Sequence, residues 1–332
     1  MTRIGVLGAG SWGTTLADLL ARKGHDVRIW AYETEVVEGI NGSHVNAVFL
    51  PDAPLAPALR ATGDAAEAVD RAEVVLSAAP SHAVRSVLER VATAIPPGAI
   101  VVSATKGIEM ESLALMSEVA GTVLPDVRFA AISGPSFAQE VYQRQPTAVV
   151  AAAADDAIAR EVQQVFSTPR FRVYTNRDVT GVELAGALKN VIAVAAGMLE
   201  GLGLGHNPRA ALITRGLAEI ARLGSAMGAD PQTFAGLAGM GDLILTTTGS
   251  LSRNRALGVA LGQGGTLEAY RAQHRSVAEG ANTSRAAVAL AQRKGVEMPI
   301  TAKVCEVLFD GKSVRDSVPE LMERDLKSEQ WR

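Results

Sequence analysis

A single lysine lies in the middle of an apolar stretch of this sequence. From Leu184 to Leu199 the chain reads LAGALKNVIAVAAGML, and Lys189 is its only charged residue. The pattern predicts a buried helix that is apolar nearly all round. A buried charge without a partner is costly, and a lysine usually responds with a lowered pKa. Lys189 therefore needs an anion, a role in proton transfer, or a path along which its side chain reaches water.

Polar groups in the same half of the chain are candidate partners or anion ligands. Asp242 ends a Gly-Met-Gly-Asp turn, which brings a carboxylate on a flexible segment. Ser252, Arg253 and Asn254 precede a short helical pattern, and hydroxyl, guanidinium and free N–H groups at a helix N-terminus can hold an anion. An ordinary N-cap beside an exposed arginine gives the same pattern. Glu279 lies between small residues, and its context fits a core role or a surface role equally well.

A second set of candidate residues forms a glycine-rich loop near the N-terminus. Gly8, Gly10 and Gly13 follow a short apolar strand over residues 2–7 in the pattern G-x-G-x-x-G. A predicted helix and a second predicted strand come next, which is the context of a dinucleotide-binding loop. In that context Gly8 permits a tight turn, Gly10 lets a pyrophosphate approach the backbone, and Gly13 lets the helix pack closely on the strand.

The residues after the second strand bear on the choice of dinucleotide. An acidic residue about 20 positions beyond the glycines favours NAD, and an arginine there favours NADP. Tyr32 and Glu33 stand at this corner, and Glu33 can either accept a hydrogen bond from the ribose or begin the next helix. The predicted cofactor is therefore NAD(P)H, with the preference between NADH and NADPH left open.

The alternation of strands and helices predicts a fold that brings these residues together. Further strands are predicted over residues 73–78, 99–104, 128–132, 147–152 and 171–174. The pattern predicts an α/β Rossmann-type domain with a doubly wound, mostly parallel sheet over residues 1–176. Alanine-rich helical sequence then predicts an all-α domain over residues 177–332, which contains Lys189.

The strand ends carry the remaining candidates, because ligands bind outside the carboxyl ends of the strands in such sheets. Lys106 follows the strand over 99–104, and Gly134 and Ser136 follow the strand over 128–132. Lys106 could hold an anion or polarise a carbonyl, although a solvated loop lysine is the more common case.

The composition indicates a soluble intracellular enzyme. Hydrophobic residues make up 48% of the 332 residues and the formal net charge is −3, which does not favour a nucleic-acid partner. Cys305 is the only cysteine, so an internal disulfide and a cysteine-based metal cluster are excluded, and no metal is predicted. We expect neither stable membrane insertion nor a signal peptide, and we predict a cytoplasmic location.

Eight motifs occur in a fixed order along the chain. They are GAGSWGTTLA from Gly8, AAPSH from Ala78, SATKGIE from Ser103, ISGPSFAQE from Ile132, ELAGALKNVIA from Glu183, ITRGLAE from Ile213, GLAGMGDLILT from Gly236 and SRNR from Ser252. Together they resemble the bacterial NAD(P)-dependent sn-glycerol-3-phosphate dehydrogenases over essentially the whole chain. The resemblance implies reversible reduction of dihydroxyacetone phosphate to sn-glycerol 3-phosphate by NAD(P)H, a step that feeds glycerophospholipid synthesis.

The resemblance also implies roles for individual residues. It implies Lys189 as the proton donor and acceptor, with Lys106 and Asp242 as further catalytic residues. The residues implied at the cofactor, besides the three glycines, are Ser11, Trp12, Tyr32, Lys106, Ala138, Arg253, Val277 and Glu279. The residues implied around the substrate are Lys106, Gly134, Ser136, Lys189, Asp242, Ser252, Arg253 and Asn254. Tyr32 departs from relatives that carry His or Arg, so a simple NADP assignment does not follow.

Two other functions fit parts of the pattern. Another NAD(P)-dependent hydroxyacid or oxoacid dehydrogenase of similar two-domain architecture could also use a helix lysine followed by an asparagine. Phosphate substrates require the anion site at Ser252, Arg253 and Asn254, whereas simple carboxylates require it less. A non-catalytic nicotinamide sensor would not need Lys189 and Asp242. We expect a homodimer from the extensive apolar helical surface.

Overall fold

In the part of the chain that the structure describes, the fold is built around one eight-stranded sheet. The computed structural model of the 332-residue chain describes residues 1–274, 278–326 and 328–329. The strands are β1 (Arg3–Leu7), β2 (Asp26–Trp30), β3 (Arg60–Thr62), β4 (Val74–Ser77), β5 (Ile100–Ser103), β6 (Arg128–Ser133), β7 (Thr147–Ala152) and β8 (Phe171–Asn176). They lie in the order β3-β2-β1-β4-β5-β6-β7-β8, and all neighbours are parallel except β6 and β7, which are antiparallel.

Helices alternate with the strands and then continue alone. Those up to β8 are α1 (Ser11–Arg22), α2 (Thr34–Ser43), α3 (Ala65–Val69), α4 (Val84–Val91), α5 (Met116–Val123), α6 (Ala138–Tyr142) and α7 (Asp156–Phe166). Those after β8 are α8 (Val179–Gly201), α9 (His206–Ala226), α10 (Asp242–Thr248), α11 (Arg253–Gly262), α12 (Leu267–Gln273), α13 (Glu279–Lys294), α14 (Pro299–Phe309) and α15 (Val314–Met322). Short 3₁₀ turns lie at Ser81–Ala83 and Pro231–Ala235, and a π-helical turn lies at Leu237–Gly241.

The predicted fold class is confirmed, because a doubly wound, mostly parallel α/β sheet precedes a helical region. Each strand predicted from the sequence is present, with small shifts at its ends. The edge strand β3 was not predicted, because three residues are too few to show an alternating pattern. The Asn41 side chain pairs with the outer side of β3, since it donates to the oxygen of Ala61 and accepts from its N–H.

Helix α8 is the central helix of the region after the sheet. Every residue from Gly181 to Met198 is buried, because α9, α10, α11, α13 and the sheet pack around it. Among the described residues it is the one helix long and apolar enough to cross a membrane, but 94% of its apolar window is buried inside the fold. A helix that is apolar all round is the kind expected at the centre of a large core.

Helices α8 and α11 cross with their backbones in direct contact. Gly197 and Gly201 on α8 face Gly258 and Gly262 on α11. A Cβ on Gly197 would lie 2.0 Å from the carbonyl oxygen of Arg255, and a Cβ on Gly258 would lie equally close to a carbonyl oxygen of α8. Any side chain here would therefore push the two helices apart.

A buried carboxylate fixes α8 to a helix of the sheet domain. Glu183 accepts hydrogen bonds from both the backbone N–H and the hydroxyl of Ser117, in the first turn of α5. Burial raises the pKa of Glu183 to about 7, although the two hydrogen bonds oppose the shift. The helix that carries Lys189 is thus held at a set position against the sheet domain.

Candidate active site

The glycine loop between β1 and α1 forms an open cradle. Gly8 has a φ of +111°, a backbone conformation that favours glycine. A Cβ on Gly13 would lie 2.0 Å from the carbonyl oxygen of Gly8, so only glycine lets the helix approach this closely. No atom would lie within 4 Å of a Cβ added to Gly10, which leaves the backbone accessible to a ligand. Helix α1 begins at Ser11 without a side-chain cap, and its first N–H groups face this opening.

Two further features of the loop fit a bound dinucleotide. The indole Nε1 of Trp12 is buried and has no hydrogen-bond partner. At the end of β2 the Tyr32 side chain is 80% exposed, and Glu33 precedes α2 without capping its N–H groups. The glycine loop follows β1 and Tyr32 follows β2, so both lie at the carboxyl edge of the sheet, where Trp12 also lies at the start of α1. This is the edge at which such sheets bind a dinucleotide.

Lys106, Lys189 and Asp242 meet in one cluster, in which Lys189 and Asp242 are buried and Lys106 is half-buried. Lys189 Nζ lies 2.9 Å from Asp242 Oδ1, and Lys106 Nζ lies 2.6 Å from Asp242 Oδ2. Lys106 also donates to the carbonyl oxygen of Gly134 at 3.1 Å. One carboxylate therefore separates two ammonium groups, and the cluster has a net positive charge that would attract an anion.

The electrostatics of the cluster set its protonation. Burial lowers the pKa of Lys189 to about 8, although Asp242 opposes the shift. Burial by itself would raise the pKa of Asp242, but Lys106 and Lys189 hold that pKa below its usual value. Asp242 is thus a carboxylate at neutral pH, and Lys189 can both give and take a proton near that pH.

Thr246 is a member of the cluster that sequence analysis missed. Its hydroxyl accepts from Lys189 Nζ at 2.6 Å and donates to Asp242 Oδ1 at 3.1 Å. It is buried, one helical turn after Asp242 on α10. The i, i+4 spacing from Asp242 was the signal available in the sequence. Thr246 orients the lysine because it bonds both members of the ion pair.

The carboxylate of Asp242 is delivered by an unusual turn. The π-helical turn Leu237–Gly241 comes directly before it, closed by a bond from the N–H of Gly241 to the oxygen of Gly236. A Cβ on Gly239 would lie 2.1 Å from the carbonyl oxygen of Phe234, so this turn requires glycine. π-Helical turns often occur at functional sites.

The end of β6 forms another wall of the site. Gly134 has a φ of +138°, and its carbonyl oxygen accepts from Lys106 and from the hydroxyl of Ser136. The hydroxyl of Ser133 is buried without a partner, and a Cβ on Gly186 of α8 would lie 2.7 Å from it. Sequence analysis did not single out Ser133.

Ala138 and Glu279 lie at the rim of the sheet. The carbonyl oxygen of Ala138 accepts from the hydroxyl of Thr15, which ties α6 to α1. Glu279 begins α13, is half-buried, and accepts from the Ser81 hydroxyl at 2.8 Å. It therefore joins α13 to the end of β4. The predicted cofactor residue Val277 lies outside the described residues.

The turn before α11 is the predicted anion site. The hydroxyl of Ser252 caps the helix by accepting from the N–H of Arg255, and Arg253 is exposed at the first helical position. The side chain of Asn254 donates to Asn190 Oδ1 at 3.0 Å and accepts from a backbone N–H of α13 at 2.9 Å. Asn190, which sequence analysis did not assign, follows Lys189 and thus links the turn to α8.

Comparison with known proteins identifies the family of this chain. Family models described as the N-terminus and the C-terminus of NAD-dependent glycerol-3-phosphate dehydrogenase match residues 3–159 and 178–319. Glycerol-3-phosphate dehydrogenase (NAD(P)+) of Geobacter sulfurreducens is 58% identical and that of Geobacter metallireducens 57% identical, over 99% and 98% of both chains respectively. The crystal structure of glycerol-3-phosphate dehydrogenase from Coxiella burnetii is similar with a TM-score of 0.94 and 41% identity, over 97% of this chain and 99% of that one. Since both halves match and these similarities extend over nearly the full length, the chain belongs to the NAD-dependent glycerol-3-phosphate dehydrogenase family.

Proposed function

We propose that this dehydrogenase reduces dihydroxyacetone phosphate reversibly to sn-glycerol 3-phosphate with NADH or NADPH. The observation that supports this most strongly is the Asp242 carboxylate that Lys106 and Lys189 share. This cluster lies at the carboxyl edge of the sheet that also carries the glycine loop. The relatives described above are named glycerol-3-phosphate dehydrogenase (NAD(P)+).

Each residue of the cluster has a different role in the reduction of a ketone. A nicotinamide cofactor held at the glycine loop would supply a hydride to the carbonyl carbon, and negative charge would then grow on the carbonyl oxygen. Lys189 gives that oxygen a proton as a general acid, and takes it back in the reverse direction. Lys106 stabilises the charge electrostatically, while Asp242 and Thr246 hold Lys189 in place.

The phosphate group of the substrate is held at the first turn of α11. Arg253 and the N–H groups there supply charge and donors, and Ser252 and Asn254 shape the turn. Gly134 and Ser136 line the substrate from the β6 side. With the phosphate fixed, the reacting carbon is confined near Lys189, which favours reaction through proximity.

The remaining cofactor assignments are part of the same proposal. Gly8, Gly10 and Gly13 would hold the pyrophosphate of the dinucleotide. The other residues assigned to it are Ser11, Trp12, Tyr32, Lys106, Ala138, Arg253, Val277 and Glu279.

The biological setting also follows as a proposal. We assign residues 1–176 to a dinucleotide domain and 177–332 to a substrate domain. The enzyme acts in the cytoplasm as a homodimer without membrane insertion, and its product feeds glycerophospholipid synthesis.

The function is tested by an assay of the purified protein with dihydroxyacetone phosphate and either NADH or NADPH. We expect oxidation of at least one nicotinamide, monitored by absorbance, and formation of sn-glycerol 3-phosphate. A matched assay with 2-oxo acids and 3-oxo acids tests the alternative of a hydroxyacid or oxoacid dehydrogenase. Turnover of those acids without turnover of dihydroxyacetone phosphate would contradict the proposal.

The two directions of the reaction are expected to depend oppositely on pH. Reduction needs protonated Lys189, whose pKa is about 8, so kcat/KM for reduction should fall as the pH rises through about 8. Oxidation of sn-glycerol 3-phosphate needs the neutral amine, so its kcat/KM should rise over the same range. Profiles of kcat/KM measured in both directions at saturating cofactor check this. Profiles that change in the same direction near that pH would exclude Lys189 as the shared proton carrier.

A further inference from the structure

Arg255 joins the phosphate-binding helix to the helix that carries Lys189. Its Nε and Nη2 atoms donate to the two oxygens of Glu200 at 2.9 Å and 2.6 Å, a two-point contact between guanidinium and carboxylate. Glu200 lies in the last turn of α8, and Arg255 lies in the first turn of α11. Arg255 and Glu200 keep only 17% and 31% of their side chains exposed.

The same arginine also reaches the helix that carries Asp242. Its Nη1 atom donates to the carbonyl oxygen of Gly249, the residue that ends α10, at 3.5 Å. Glu200 in turn binds Arg209 of α9 at 3.3 Å. The two-point contact therefore lies where α8, α9, α10 and α11 meet.

The contact of Arg255 with Glu200 restrains motions that the glycine crossing of α8 and α11 allows. The backbones of α8 and α11 touch at Gly197 and Gly258, so the helices cannot move closer together. A smooth contact between glycines does not prevent one helix from sliding along or rotating on the other. The Asn254–Asn190 hydrogen bond opposes these motions next to Lys189. The two-point contact of Arg255 with Glu200 opposes them at the other end of the crossing. Either motion would break at least one of the two hydrogen bonds between Arg255 and Glu200.

Sliding of α11 would change the geometry of the active site. Lys189 lies eight residues before Gly197, which is about 12 Å along α8 at the usual helical rise. Arg253 and Asn254 lie directly before Arg255 in the turn proposed to hold the phosphate. A displacement of α11 therefore changes the distance from the bound phosphate to the proton carrier.

We infer that Arg255 and Glu200 are positioning residues that set the distance between the phosphate site and Lys189. Neither residue is among those proposed to bind the substrate, and both act through the placement of α11. The inference rests on the proposed function, because it concerns the phosphate of dihydroxyacetone phosphate.

The test compares substrates with and without a phosphate. Arg255→Lys keeps the charge but loses the two-point contact, and we expect kcat/KM for dihydroxyacetone phosphate to fall roughly 10- to 100-fold. The kcat/KM for unphosphorylated dihydroxyacetone, which makes no use of the phosphate site, should change by less than about twofold. Glu200→Gln, which keeps the size of the side chain, should show the same selective loss. Arg209→Lys is the matched control, because Arg209 binds the same carboxylate from a different helix, and it should leave both substrates unaffected.

The possible outcomes separate the inference from the proposed function. Equal losses with both substrates, or an unchanged kcat/KM for dihydroxyacetone phosphate in Arg255→Lys and Glu200→Gln, would overturn the inference. Thermal unfolding and NADH binding show whether each variant is folded. If Arg255→Lys does not fold, the kinetics of folded Glu200→Gln test the inference. If the wild type does not reduce dihydroxyacetone phosphate, the proposed function itself fails.

Discussion

Replacing Lys189 with alanine is expected to lower kcat for dihydroxyacetone phosphate reduction by about 10²–10⁴-fold, the usual contribution of a general acid. The lysine is buried on α8 and bound to Asp242 and Thr246, so no solvent proton donor can readily take its place. Single-turnover and steady-state rates with saturating NADH or NADPH measure the loss. The affinity for the nicotinamide cofactor should change little, because its proposed cradle lies at the glycine loop.

Lys294→Ala is a suitable control for this experiment. Lys294 is an exposed lysine at the end of α13, and its removal should leave kcat unchanged. A Lys189→Ala enzyme that keeps kcat within about tenfold of the wild type would argue against proton transfer by Lys189.

Replacing Asp242 with asparagine is expected to damage both activity and stability. The change leaves the buried ammonium group of Lys189 and the half-buried ammonium group of Lys106 without their shared carboxylate. Removing one partner of a buried ion pair costs about 3–5 kcal/mol, so the free energy of unfolding should fall by that amount. Denaturant titration of the purified variant measures it.

Asp242→Asn is also expected to change the pH dependence of kcat/KM. Asp242 raises the pKa of Lys189 against the effect of burial, so its removal should lower that pKa further. The fall in kcat/KM for reduction should then begin at a lower pH than in the wild type. Asp156→Asn is the control, because Asp156 and Arg177 form an exposed ion pair whose loss should cost less than about 1 kcal/mol. A profile for Asp242→Asn that matches the wild type would show that Asp242 does not tune Lys189.

The sequence predicted those parts of the fold whose causes are local. The strands have apolar patterns, and Gly8, Gly10 and Gly13 each meet a requirement of the turn between β1 and α1. Lys189 could be identified as a candidate because burying an unpaired charge in an apolar helix is costly, whichever elements pack against that helix. The edge strand β3 escaped prediction, since three residues are too few to show an alternating pattern and its strand character comes from pairing with β2.

The partners within the site could be predicted only in part. Lys106 and Asp242 were candidates from their loops, but their shared contact depends on how α10 packs against the end of β5. Thr246 reads as an ordinary helix residue until α10 and α8 lie side by side. The π-helical turn before Asp242 has no simple sequence signature, and neither has the close approach of Gly197 and Gly258. These features arise from tertiary packing, which a single sequence does not display.

The apolar character of α8 has a consequence before the protein has folded. Its hydropathy reaches that of a membrane-spanning segment, and the packing that buries it in the native state is absent from a newly made chain. Lys189 lies near the middle of α8, where a lysine raises the free energy of membrane insertion by about 2.5–3.5 kcal/mol. The residue proposed to carry the proton therefore also disfavours loss of the nascent helix into a bilayer, and a neutral substitute would remove that protection together with the activity.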